Sequence, residues 1–111
     1  DGIMVEGISE EMVYLMTDCR AVPRKEVVWF AAEMERQLRL NDHKGGWAAM
    51  SEKWLLNRLK QETRELAQTL KHEYTEQQAE RVVSEAADVA NFAMMIADKV
   101  AKAIRSGKET P

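Results

Sequence analysis

Two pairs of acids carry the chemistry this chain is equipped for: Glu62-x-x-Glu65 and Glu85-x-x-Asp88. On a helix, residues three apart share a face and stand about 4.5 Å apart along the axis, so each pair aims two carboxylates the same way. Thr75 is the midpoint of positions 65 and 85, and also of 62 and 88. An antiparallel turn at Thr75 would set the pairs opposite each other at matching heights. Carboxylates at such quarters raise one another's pKa and destabilise the fold unless a counter-charge intervenes. A divalent cation supplies it, and hard oxygen donors suit Mg²⁺ or Mn²⁺. Mg²⁺ keeps waters and completes its shell with phosphate oxygens, so the cluster suits a polyphosphate and hydrolysis of its anhydride bond. A purely structural reading competes, because ExxE is ordinary on a solvated helix and Lys60, Arg64 and Arg81 are at hand as ion-pair partners. Against it, Glu85 and Asp88 sit amid Ala86, Ala87, Val89 and Ala90 and not in a charged run.

Positioning these acids requires helices, and the composition supplies them. The 111 residues are 45% apolar, 32% charged and only 6% aromatic, with 5 Gly and 2 Pro. That is the vocabulary of an all-α fold of one modest domain. Sixteen Lys and Arg against nineteen Asp and Glu give a net charge of −3, which argues against nucleic acid as a partner. An apolar run such as Val27 to Ala32 is far short of the roughly 20 residues that span a bilayer. The single Cys19 forms no internal disulfide, and a reducing, cytoplasmic setting is the expectation.

The segment 1–24 is irregular, with a short helix or turn around Met12, Val13, Leu15 and Met16. A helical domain then occupies 25–106 and a tail 107–111. The first long helix runs from Arg24 to Leu40, with Val27, Val28, Ala31, Met34, Leu38 and Leu40 at spacings of mostly three and four. Asn41 to Trp47, with its paired glycines, is the main break. The second helix is expected from an N-cap at Ser51 to about Lys71, burying Trp54, Leu55, Leu59, Leu66 and Leu70. Thr75-Glu76-Gln77-Gln78 has capping-box form and starts a third helix, expected to reach Arg105 before Gly107. Its expected buried face is Val82, Val83, Ala86, Val89, Ala90, Ala93, Ile96, Ala97, Val100 and Ile104.

At Leu59 to Leu66 and Glu85 to Phe92 the chain resembles the MazG-type all-α nucleoside triphosphate pyrophosphohydrolases, a superfamily that includes dimeric dUTPases and phosphoribosyl-ATP pyrophosphohydrolases. The likeness covers roughly Trp29 to Ile104, and the His43-Lys44-Gly45-Gly46-Trp47 loop resembles a small MazG-like subgroup. The resemblance implies that Glu62, Glu65, Glu85 and Asp88 hold Mg²⁺ and that a nucleoside triphosphate yields a monophosphate and pyrophosphate. It also implies a four-helix-bundle core completed by a second subunit, as a homodimer or homotetramer. Exposed apolar stripes on three long helices of a short chain point the same way.

Further candidates surround this core. Lys44 offers a mobile cation to phosphate, and Trp47 a flat surface to a base. Asn91 lies one turn beyond Asp88 and can reach substrate, a metal-bound water or a neighbouring helix. Glu35 is a candidate outer ligand or water-orienting base. Arg58, Lys60 and Arg64 are alternatives for balancing triphosphate charge. Met34, Met94 and Met95 are base-pocket or core residues, and His43 and His72 lack metal-ligand spacing. The rival of another class is a non-catalytic helical interaction module with ion-paired acids; dUTP or phosphoribosyl-ATP as substrate is the rival within the class.

Overall fold

The computed structural model describes residues 22–72 and 75–107, which are helical and contain no strand among the described residues. The expected short element around Met12 lies outside them. Helix α1 spans Lys25–Leu40, a single 3₁₀ turn follows at Asp42–Lys44, α2 spans Glu52–Thr69 and α3 spans Glu76–Arg105.

Each boundary has a local cause. Pro23 precedes α1, and Arg24 lends its carbonyl to the amides of Val27 and Val28 without a side-chain cap. The helix stops at Asn41, whose Nδ2 donates to the Gln37 carbonyl at 2.9 Å and satisfies one of the orphan acceptors of the last turn. Gly45 then takes φ 89°, which only glycine adopts freely. Ser51 caps α2 by accepting from the Trp54 amide, and Thr75 caps α3 by accepting from the Gln78 amide. The capping box is half formed, since Gln78 Oε1 is buried without a hydrogen-bond partner. Helix α2 ends two residues before the expected Lys71, where Leu70 turns the chain toward Thr75.

Helix α3, at 30 residues about 45 Å long, is the spine. Both α2 and α1 pack on it and not on each other, which leaves an open groove between α1 and α2 floored by α3. The interior is correspondingly thin. Among the described residues the buried apolar side chains are Leu55 and Ala87, while Glu62, Thr69, Glu85 and Asn91 are buried polar ones. The expected apolar faces are therefore only partly covered. Met34 and Leu38, Leu59 and Leu66, and Val82 to Ala90 are largely half-buried, but Val28 is 55% exposed, Trp54 45% and Ile104 67%. Three helices in this arrangement form one and a half layers, and a stripe needs an opposing layer to bury it.

Candidate functional site

The groove holds a cavity of about 590 Å³, within the range of small-molecule sites. Each wall comes from a different element: Gln37 and Leu38 of α1, the loop from Asn41 to Met50, Trp54, Leu55, Arg58, Glu62 and Glu65 of α2, and Asp88, Asn91, Phe92 and Met95 of α3. The α3 contribution is one face at spacings of three and four, and Asp98 and Lys99 continue it.

Three of the four expected acids, Glu62, Glu65 and Asp88, line this cavity. Burial pushes the Glu62 carboxyl above its ordinary pKa, the charges of Glu65 and Asp88 push further, and Arg58 partly opposes them. Burial likewise raises Asp88, helped by Glu65 and Glu85 and opposed by Arg58 and Lys44. The charges of acids on α2 and α3 thus act on one another across the interface. Glu85 differs: it is buried but lines a smaller hollow with Thr69, His72, Gln78 and Arg81, and Glu65 borders both spaces.

Two of the acids are engaged by arginines one turn earlier. Arg58 Nη2 donates to Glu62 Oε2 at 3.1 Å, and Arg81 Nε to Glu85 Oε2 at 3.4 Å. As the side chains lie, no group of three or more His, Cys, Asp or Glu among the described residues is gathered closely enough to hold a metal ion. The donor chemistry nevertheless fits a hard cation. Three carboxylates, Glu62, Glu65 and Asp88, line one cavity, and Glu62 is the one of them paired with an arginine there, so hard oxygen donors remain to meet a cation.

The remaining expected residues separate. Lys44 lines the cavity, and its charge reaches Asp88. Trp47 also lines it, but its indole is tied: Nε1 donates to Asp98 Oδ2 at 3.0 Å. Asn91, 3% exposed, donates through Nδ2 to the Met34 carbonyl at 3.0 Å, the helix-to-helix option, which leaves its Oδ1 without a partner. Glu35 is not brought to the site. It sits roughly 100° round α1 from Met34, is exposed, and pairs with Arg39 at 3.1 Å. Of the basic trio, Arg58 alone reaches the cavity, while Lys60 and Arg64 border an exposed groove along α2. Met95 lines the cavity, whereas Met34 contributes its carbonyl and Met94 is half-buried elsewhere on α3.

Sequence reasoning missed the fastening of the loop. Besides the Trp47 to Asp98 bond, Lys99 Nζ donates to the Ala48 carbonyl at 2.8 Å. Burial alone would raise Asp98, but hydrogen bonds from Trp47 and Lys102 and the charges of Lys102 and Arg105 outweigh it and hold the carboxyl below its ordinary range. The signal was present, because Asp98 and Lys99 extend the stripe of Asp88, Asn91, Phe92 and Met95.

No family model, no curated protein and no solved structure matches this chain. No helix among the described residues is long and apolar enough to cross a membrane.

Proposed function

We propose that the chain is a Mg²⁺-dependent nucleoside triphosphate pyrophosphohydrolase that cleaves the α–β anhydride bond, releasing a nucleoside monophosphate and pyrophosphate, and so trims the nucleotide pool. The observation that carries this reading is the convergence of Glu62, Glu65 and Asp88, from two helices, on one cavity that also holds Lys44, Arg58 and an apolar wall of Leu38, Trp54 and Phe92. Acid, base and flat apolar surface in one small cavity match metal, phosphate and nucleobase. The candidate metal ligands are Glu62, Glu65, Glu85 and Asp88, and Mn²⁺ would suit the same oxygens. A bound divalent ion would neutralise phosphoryl charge and acidify a water.

The exposed stripes of α1 and α3, Val27, Val28, Trp29, Val100 and Ile104, support a homo-oligomer in which a second copy completes the bundle. One observation favours the rival reading of a non-catalytic helical module: the Arg58–Glu62 and Arg81–Glu85 pairs, which satisfy two acids without metal.

The decisive experiment is pyrophosphate release from a panel of ribo- and deoxynucleoside triphosphates, dUTP included, with Mg²⁺ and with chelator. Chelator-sensitive release that Glu62→Ala or Asp88→Ala abolishes, with helicity retained, is expected. Silence across the panel from folded protein, or full activity in both variants, sinks the proposal and leaves the module.

A further inference from the structure

The cavity brings its own cation. Arg58, about one-third exposed, is engaged on three sides: its Nη2 donates to Glu62, its Nη1 donates to Gln61 Oε1, and its Cζ lies 5.2 Å from the centre of the Phe92 ring. Glu62 is 7% exposed, and Arg58 opposes the burial and the neighbouring acids acting on it. Arg58 also favours the charged form of Asp88 on the facing helix. One guanidinium thus pairs with Glu62 on its own helix and, together with Lys44, offsets the charge of Asp88 on the facing one. Asn91, 3% exposed, is among the residues that line the same cavity, and its Oδ1 is buried without a hydrogen-bond partner.

We propose that Arg58 is an exchangeable counter-ion: a divalent cation takes over Glu62, and the released guanidinium, kept in place by its stack on Phe92, passes to a phosphate oxygen of the substrate. The idea rests on the reading of this cavity as a nucleoside triphosphate site, and it names the residue that couples metal to substrate. The physical ground is competition. Glu62 cannot satisfy the guanidinium and a metal ion with the same oxygens, and the guanidinium cannot serve carboxylate and phosphate with the same N–H groups. Arginine suits the exchange because it never loses its proton, presents planar paired donors that match phosphate, and keeps an aromatic stack while its donors change partner. By linkage, metal and substrate then strengthen each other's binding, since each removes a competitor of the other.

The signature is a pair of opposite effects. Replacing Arg58 by alanine should tighten Mn²⁺ binding, measured without nucleotide by calorimetry or by electron paramagnetic resonance. The same change should weaken binding of a non-hydrolysable triphosphate analogue in saturating Mn²⁺. Each effect is expected at roughly tenfold, the scale of one hydrogen-bonded charge contact. Arg58→Gln, which keeps much of the stem packing, should give the same two signs and guards against a folding defect. Mn²⁺ affinity that is unchanged or weakened in both variants, with normal Mn²⁺ binding by the unaltered chain, overturns the exchange and leaves the proposed function standing. Failure of the unaltered chain to bind Mn²⁺ both alone and together with the triphosphate analogue overturns both.

Discussion

The loop that carries Lys44 is fastened to α3 by Trp47 and Asp98, and Asp98→Ala should release it. The bond removed is an indole N–H to a carboxylate at 3.0 Å, with the carboxylate side chain 22% exposed. Hydrogen bonds to charged groups contribute about 1.5 to 3 kcal/mol when well shielded. Partial exposure here lowers that to about 1 to 2 kcal/mol. The Lys102 pair lost with it adds little, because Lys102 is 63% exposed. A change of this size multiplies the open population of the loop by roughly 5 to 30. The amides of Lys44, Gly45 and Met50 are the reporters, since they donate within the loop to Asn41, Asp42 and Trp47. Their hydrogen exchange should accelerate by that factor, while the amides of central α2 and α3 keep their rates. Trp47→Phe should have the same effect, and the double variant should be no worse than either single change, because both remove one interaction. Strict additivity, or unchanged exchange in Asp98→Ala, would refute the fastening.

Two further outcomes follow from burial and charge. Leu55→Ala should cost about 2 to 5 kcal/mol in urea unfolding, since Leu55 is fully buried; Val28→Ala, at a position 55% exposed in one chain, should cost more than about 0.5 kcal/mol only if a second copy covers α1. Glu62 and Asp88 are raised in the folded chain, so the fold binds their protons more tightly than the unfolded chain does; stability should fall as pH rises from about 4 through their raised values, and Asp88→Asn should flatten that slope. Asp98 works in the opposite sense: its contribution is present above the ordinary carboxylate range and is lost as pH falls through its lowered value.

The starts of α2 and α3 were legible because they depend on local matters. Thr75 caps a helix through its own hydroxyl, and the acids stand at fixed distances on either side of it. The loop was legible as a break, since Gly45 needs its positive φ. What the spacing did not show is how acids on one face divide between two spaces. Glu85 belongs to the same stripe as Asp88 but faces the hollow beside Arg81. Nor did it show which of Arg58, Lys60 and Arg64 turns inward, because that depends on where α3 crosses α2 and on Phe92 being there to receive a guanidinium.

By itself the sequence determined what is set within a few residues: three helices and their caps, an all-helical chain, two acidic pairs on facing turns and a glycine loop between α1 and α2. Only the tertiary structure decided that α1 and α2 share α3 without touching, that the resulting groove is lined by acids with Arg58 among them, and that Trp47 is tied to Asp98 instead of free. Helix propensity and capping act over one or two turns of chain. Whether a side chain meets a counter-charge, a ring or water depends on residues such as Trp47 and Asp98 that are 51 positions apart, and packing alone brings them together.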